Sequence, residues 1–182
     1  MQNFSIPKKE EVNKSNQEIF ESLEENLGFI PNLYAYYAKN ETALKDYLQF
    51  QNRKTTLTKK EIEIINLVVS QKNACVYCLS AHTVVASKTG FDDDQIIEIR
   101  RGKASFDHKL NALAEFTETV VAHNGKITEQ EKDAFFGAGY TEANLIDVIM
   151  KIGDKTISNL IHNISNLPVD FPEAPALEKS AA

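Results

Sequence analysis

Residues 58–82 hold the most informative pattern in the chain, TKKEIEIINLVVSQKNACVYCLSAH. Thr58 and Glu61 have the spacing of a capping box, in which a hydroxyl and a carboxylate satisfy free N–H groups at a helix start. Apolar residues then recur at the period of a helix. Cys75, Cys78 and His82 follow directly. The stretch therefore predicts two consecutive helices, with a cysteine pair at the start of the second.

Similar helix signals recur along the rest of the chain. Asp92 with Gln95 and Thr128 with Glu131 repeat the capping spacing, and Thr141 opens the longest apolar run. Glycines fall between the apolar runs, and the pattern for strands is weak. We predict an all-α fold, a helical bundle of seven to eight helices. The expected spans are 14–27, 32–51 (which a break near residue 40 would divide), 58–73, 76–89, 92–101, 106–124, 128–138 and 141–164.

The length and composition fit one domain. A chain of 182 residues lies within the usual size of a single domain, and 42% hydrophobic residues supply a sizeable core. We predict a single domain over residues 1–182, with an N-terminal arm of about 1–13 and a C-terminal tail of about 165–182. Prolines prevent that tail from forming one continuous helix.

The charge balance excludes several classes of partner. The formal net charge is -6, whereas nucleic acid and anionic lipid surfaces both require clustered lysine and arginine. No apolar run reaches the ~18–20 residues of a membrane span, and the first residues do not resemble a secretory signal. We therefore expect a cytoplasmic protein without nucleic acid or membrane partners.

The cysteine pair and the histidine suit redox chemistry. Cys75, Cys78 and His82 lie three and four residues apart, so they share one face of a helix. Sulfurs at this spacing are close enough to form a disulfide. A helix start also stabilises a thiolate, and His82 is within reach to exchange a proton with it.

Three other interpretations of these residues stay open from the pattern alone. The two cysteines could be small buried apolar residues. They could join His82 as zinc ligands, although a structural zinc site requires four ligands and no second pair is present. Glu63 lies in a polar stripe with Lys59, so it could simply face water.

Together these residues resemble a known family. Glu63, Cys75, Cys78 and His82 reproduce the E-x11-CxxC-x3-H signature of the alkylhydroperoxidase D-like (AhpD-like) family, part of the carboxymuconolactone decarboxylase superfamily. Four residues at three fixed spacings make a specific match. The flanking segments resemble the peroxidase-related branch, so the resemblance covers roughly residues 15–175. These segments are Gly28-Phe29-Ile30-Pro31-Asn32, Lys88-Thr89-Gly90-Phe91, Leu110-Asn111-Ala112-Leu113, and Asn163-Ile164 through Asp170-Phe171-Pro172.

The resemblance implies an AhpD-like helical fold and a peroxidase-type antioxidant enzyme for organic hydroperoxides. Cys78 would attack the peroxide and become a sulfenic acid, and Cys75 would resolve it as a disulfide. Glu63 and His82 would form the proton relay, with no cofactor and no metal. A lipoyl-bearing adaptor or a thioredoxin-like protein would reduce the disulfide. Family members also assemble as trimers or hexamers, so we expect a homo-oligomer.

One position departs from the family pattern. The founding peroxidase has a second relay histidine just before its second cysteine, where this chain has Tyr77. A phenol with a pKa near ~10 is a poor base at neutral pH. The alternative functions are therefore a thiol–disulfide oxidoreductase, or a non-catalytic redox sensor, on the same CxxC pair.

Some aromatic and histidine residues lie outside the signature. We expect His108, His123 and His162 to be ordinary surface or core histidines. An aromatic cluster around Pro31 consists of Phe29, Tyr34, Tyr36 and Tyr37. We expect this cluster to form core or subunit interface, or to line the peroxide pocket.

Overall fold

The computed structural model describes residues 4–177, which are helical with no strand among them. A 3-10 turn at Lys9–Glu11 precedes nine α-helices. These are α1 (Lys14–Leu27), α2 (Asn32–Tyr37), α3 (Ala43–Gln51), α4 (Lys59–Lys72), α5 (Val76–Lys88), α6 (Asp93–Arg100), α7 (His108–Ala122), α8 (Glu129–Gly137) and α9 (Glu142–Ser165). The predicted all-α fold is confirmed.

The helix count exceeds the predicted seven to eight because the expected span 32–51 is divided. Residues 38–42 form turns between α2 and α3. The Asn40 side chain accepts hydrogen bonds at 3.1 Å from the backbone N–H groups of Thr42 and Ala43. These bonds satisfy free donors at the start of α3, so Asn40 favours a new helix over a continuous one.

The capping boxes predicted from spacing are present. The Thr58 backbone N–H donates to Glu61 Oε2 at 2.7 Å, and the Glu61 N–H donates to Thr58 Oγ1 at 3.2 Å. The Asp92–Gln95 and Thr128–Glu131 pairs form the same reciprocal bonds. The polar pairs therefore define where α4, α6 and α8 begin.

Helix α4 lies at the centre of the fold. It packs against α5, α6, α7 and α9. Its apolar residues belong to the largest core cluster, where Ile64, Ile65, Leu67 and Val69 are fully buried. Because α4 is enclosed on several sides, its polar residues are also drawn into the interior.

A second core cluster joins α1–α3 to the start of α5 and to the segment after α9. Phe20, Leu44 and Leu167 are buried in it together with both cysteines. Residues 166–177 form no helix and run back across the molecule. Arg100 Nη1 donates to the Pro175 carbonyl at 2.7 Å, which ties this tail to α6. Residues 1–3 and 178–182, the ends of the predicted arm and tail, lie outside the described residues.

Helix α9 turns its polar side inward. Polar side chains of its inner face are buried. They are Asp147, Asp154, Lys155, Ser158, Asn159, His162 and Ser165. Along residues 4–177, no helix is both long and apolar enough to cross a bilayer.

Candidate active site

The turn between α4 and α5 sets the position of the first cysteine. The Cys75 backbone N–H donates to the Ser70 carbonyl at 2.9 Å, and Cys75 is the N-cap residue of α5. Ala74 takes a left-handed conformation with φ +51°, which is unfavourable for a residue with a Cβ. The tight turn therefore stores backbone strain directly beside Cys75.

The two cysteines are buried free thiols with different acidities. Cys75 is 0% exposed and Cys78 is 3% exposed. A hydrogen bond from the Cys75 thiol, helped by the charges of Lys155 and His82, lowers the pKa of Cys78 despite its burial. The same hydrogen bond, together with burial, raises the pKa of Cys75. The surroundings therefore favour a thiolate on Cys78, a ranking that the helix start alone did not provide.

Glu63 and His82 form a buried pair. His82 Nδ1 lies 2.7 Å from Glu63 Oε2, and Asn66 Nδ2 donates to Glu63 Oε1 at 2.9 Å. Glu63 is only 5% exposed, so it does not face water. Burial alone would raise the pKa of Glu63, but the charge and hydrogen bond of His82 outweigh it and lower the pKa. Since Glu63 occupies Nδ1, the Nε2 atom of His82 is left for the cavity side.

Two further residues at the site come from α9 and were missed by sequence reasoning. Lys155 is 3% exposed and contributes its positive charge to Cys78. Burial alone would lower the pKa of Lys155, but the negative charges of Cys78 and Asp154 raise it. Asn159 is fully buried, its Nδ2 donates to Ser70 Oγ at 3.3 Å, and it adds to the lowering of the pKa of Cys78. Neither residue belongs to a sequence motif. The feature that could have identified them is their polar character within an otherwise apolar run.

A cavity of about 200 Å³ opens beside Cys78. Its wall is mostly apolar, with Cys78, His82 and Lys155 among the polar groups. The remaining lining residues are Leu27, Pro31, Leu33, Tyr34, Tyr47, Gln51, Tyr77, Ala81, Val85, Ser158 and Phe171. A small, largely apolar molecule that enters this space reaches a sulfur, an imidazole and an ammonium group at once.

Tyr77 has a structural contact where the family pattern has a histidine. Its hydroxyl accepts a hydrogen bond at 3.2 Å from the Leu33 backbone N–H, in the first turn of α2. Its ring packs 5.6 Å from Phe171 and 5.1 Å from His162, measured between centroids. Burial raises the pKa of Tyr77 further above its ordinary value. Tyr77 thus holds α2 and the tail against the cysteine helix and is not a base at neutral pH.

The aromatic cluster divides between cavity and core. Tyr34 lines the cavity, and its hydroxyl donates to Gln51 Oε1 at 2.7 Å. Tyr37 is buried and stacks on Tyr47 at 4.5 Å between ring centroids. His162 is buried with Nε2 lying 3.0 Å from the Leu167 carbonyl, as a core histidine does.

Comparisons with known proteins find one matching family model and several similar solved structures. The model of the carboxymuconolactone decarboxylase family matches residues 38–119, which contain all four signature residues. A peroxidase-related protein from Silicibacter sp. TM1040 is 22% identical with a TM-score of 0.80, over 92% of this chain and 90% of its own. An AhpD-core peroxidase-related protein from Ralstonia eutropha JMP134 is 18% identical with a TM-score of 0.83, over 92% of both chains. Residues 38–119 are thus similar to the carboxymuconolactone decarboxylase family, and the described chain has the helical fold of AhpD-core proteins.

Solved proteins with a similar fold include one that is named for a different activity. The debrominase Bmp8, solved as a cysteine-to-alanine variant with 2,3,4-tribromopyrrole, is also similar to this chain. It is 16% identical with a TM-score of 0.71, over 86% of both chains. No protein with curated annotation matches significantly in sequence. The shared fold therefore leaves the reaction to be argued from the site.

Proposed function

We propose that this protein is a thiol peroxidase that reduces organic hydroperoxides through Cys78 and Cys75. The observation that carries this proposal is the acidified Cys78 thiol at an apolar cavity, with the Glu63–His82 pair beside it. A thiolate is the nucleophile that attacks a peroxide, and a nearby acid–base pair supplies the proton transfers.

In the first step, His82 takes the thiol proton and the Cys78 thiolate attacks the terminal oxygen of R–O–OH. An S–O bond forms as the O–O bond breaks, so the sulfur is oxidised to a sulfenic acid and the peroxide is reduced to an alkoxide. The protonated His82 returns its proton to the alkoxide, which leaves as the alcohol. Glu63 holds Nδ1 of the imidazole and stabilises its positive charge. Lys155 opposes the negative charge, first on sulfur and then on the leaving oxygen.

In the second step, the Cys75 sulfur attacks the Cys78 sulfenic acid. An S–S bond forms and the hydroxyl group leaves as water with the Cys75 proton. Cys75 is the N-cap of α5 and Cys78 lies three residues further on, a spacing at which two sulfurs come close enough to form a disulfide. A dithiol from outside the protein then returns two electrons and two protons, which restores both cysteines.

The burial of both sulfurs favours a small electrophile over a protein disulfide. A protein substrate would need the sulfur at its surface, whereas Cys78 is reached through a cavity of about 200 Å³. The peroxidase is therefore favoured over the alternative function, thiol–disulfide exchange with a protein. The burial of the sulfurs also favours a slender lipoyl group over a thioredoxin-like surface as the reductant.

Two partner assignments rest on the family resemblance and remain part of the proposal. The oxidised protein is reduced by a lipoyl-bearing adaptor or a thioredoxin-like protein. The chain itself forms a homo-oligomer. Enzyme kinetics with dihydrolipoamide and with reduced thioredoxin test the first assignment, because only the true reductant class sustains multiple turnovers.

The function is tested with reduced wild-type, Cys75→Ser and Cys78→Ser proteins exposed to cumene hydroperoxide. A dimedone-type trap and intact mass identify the oxidised sulfur. We expect a sulfenic acid on Cys78 in Cys75→Ser, an internal disulfide in wild type, and little reaction in Cys78→Ser. Rapid oxidation of Cys75 in the Cys78→Ser protein would reverse the two roles. No reaction above that of a free thiol would exclude the peroxidase and leave thiol–disulfide exchange or redox sensing.

A further inference from the structure

Helix α9 carries a line of apolar side chains on its outer side. Ile146, Ile149, Ile157, Leu160 and Ile164 are 42–70% exposed. Their separations of three, eight, three and four residues put them on one face of the helix, named here the α9 stripe. A helix of 24 residues is about 36 Å long, so the stripe runs along most of the molecule.

The rest of α9 explains why the stripe faces outward. The opposite face is occupied by the buried polar residues, including Lys155 and Asn159, which contact the cysteine site. Successive residues are rotated by about 100° around the helix axis. On this measure, every charged residue of α9 after its first turn lies about 95° or more away from the middle of the stripe. The α9 stripe is thus apolar and uncharged, and residues 4–177 leave it exposed.

Gly153 lies in the middle of the α9 stripe. Glycine in a helix interior is destabilising relative to alanine, so its presence needs a reason. A Cβ added at Gly153 would meet no atom within 4 Å among the described residues. The packing within residues 4–177 therefore does not explain why a glycine is present. A helix of another molecule that packs closely against residue 153 would explain it, because a Cβ would keep the two backbones apart.

Four of the five residues of the α9 stripe are symmetric about Gly153, and the counterpart of the fifth, Ile164, is Glu142. Ile146 and Leu160 lie seven residues on either side of it, and Ile149 and Ile157 lie four on either side. A second α9 that runs antiparallel would place Ile146 against the partner subunit's Leu160 and Ile149 against the partner subunit's Ile157. Such an interface presents the same patch from both copies, as two-fold symmetry requires.

The exposed area is sufficient for pairing. The stripe leaves on the order of 500 Å² of apolar surface per copy, near the top of the roughly 300–600 Å² that monomers expose. It is more than half of the about 800 Å² that each partner buries in a standard interface. Side chains that flank the stripe supply additional contact area.

We propose that two copies of this chain pair through antiparallel α9 helices that cross at Gly153. The proposal is independent of the redox reaction and specifies which surface associates, with which partner and in which symmetry. It is compatible with larger even-numbered assemblies built from this pair. Pairing would also support the helix that positions Lys155 and Asn159 at the site.

The test is a disulfide placed on the symmetry axis. In Gly153→Cys, the two introduced thiols meet across the axis, whereas Cys75 and Cys78 are buried and shielded. We expect mild oxidation at micromolar protein to convert most of this variant to a covalent dimer. Glu115→Cys, at an exposed position of α7, is the matched control and should stay uncrosslinked.

Light scattering provides the second readout on the wild type and on Ile149→Glu. We expect an even-numbered wild-type assembly and a lower mass for Ile149→Glu, with helix content unchanged by circular dichroism. A wild-type mass of 20.4 kDa would overturn the proposal. An odd-numbered assembly, no crosslink at residue 153, or coverage of the stripe by another protein or by neutral lipid vesicles would overturn it equally.

Discussion

Replacing Glu63 with glutamine tests the proposed proton relay in depth. Glu63→Gln keeps the shape of the side chain but removes its charge. The wild-type pair has a heavy-atom distance of 2.7 Å between His82 Nδ1 and Glu63 Oε2, and both side chains are largely shielded from solvent. We therefore expect slower oxidation of Cys78 in a protein that still folds.

The expected loss of oxidation rate depends on how the new amide is oriented, and two orientations give its upper and lower limits. If the amide oxygen keeps its contact with Asn66, its NH₂ group faces His82 Nδ1 and forces the proton onto Nε2, which can no longer accept one. Loss of general base catalysis then costs about 10²–10⁴-fold. If the side-chain amide of Asn66 instead rotates by half a turn, its oxygen accepts from the new NH₂ group. The new amide oxygen then still accepts from His82 Nδ1, and only the negative charge is lost. A charged hydrogen bond contributes about 1.5–3 kcal/mol, which sets a lower bound of about tenfold.

The assay is a single-turnover reaction of reduced protein with cumene hydroperoxide, followed by trapping and mass. Glu61→Gln is the matched control, because Glu61 lies on the same helix, is also 5% exposed, and binds the α4 cap and Lys109 rather than His82. Its glutamine still fits a capping box. A folded Glu63→Gln protein with the wild-type rate would refute the relay, as would an equal loss in Glu61→Gln.

Three other variants test separate parts of the account. Lys155→Met should raise the pKa of Cys78 and shift its alkylation profile to higher pH by about one unit or more, with partial recovery in Lys155→Arg; an unshifted profile would contradict the charge coupling. Tyr77→Phe should lower the free energy of unfolding by about 1–3 kcal/mol, since the Leu33 N–H loses its acceptor, yet leave peroxide reactivity nearly unchanged; a large loss of reactivity with intact stability would assign Tyr77 to the relay. Burial opposes ionisation of Asp147, but hydrogen bonds from Thr56 lower its pKa, so its contribution to stability is present above about pH 4 and is lost as pH falls. The free energies of unfolding of wild type and Asp147→Asn, from denaturant titrations, should differ most at pH 7, and the difference should be partly reduced at pH 3, where the unfolded chain is already largely protonated; an equal difference at both pH values would contradict the coupling.

The sequence predicts the helices well where local chemistry determines them. Capping pairs such as Thr58–Glu61 begin helices through contacts three residues apart, so their effect is visible in the chain itself. The break at residues 38–42 was harder to locate. It depends on the Asn40 side chain bonding to the next helix start rather than to solvent.

Some residues of the site are also predictable from the sequence, and others are not. Spacing selects Cys75, Cys78 and His82 as candidates, the family resemblance adds Glu63, and the fold brings the carboxylate and imidazole into contact. Lys155 could not be found from spacing, because it comes from a helix far along the chain. Its run looks apolar, and amphipathic reasoning would turn the isoleucines inward, whereas the structure turns several of them outward.

The most direct test of the central claim is the second-order rate constant for oxidation of Cys78 by an organic hydroperoxide at neutral pH. Cumene hydroperoxide and the Cys75→Ser protein isolate the attack step, and a free small-molecule thiol of matched pKa provides the reference. We predict a rate constant at least about 10²-fold above the reference, because the Glu63–His82 pair provides acid–base catalysis of the attack on the peroxide. A rate equal to that of the free thiol would contradict the account and assign the cysteine pair to another chemistry.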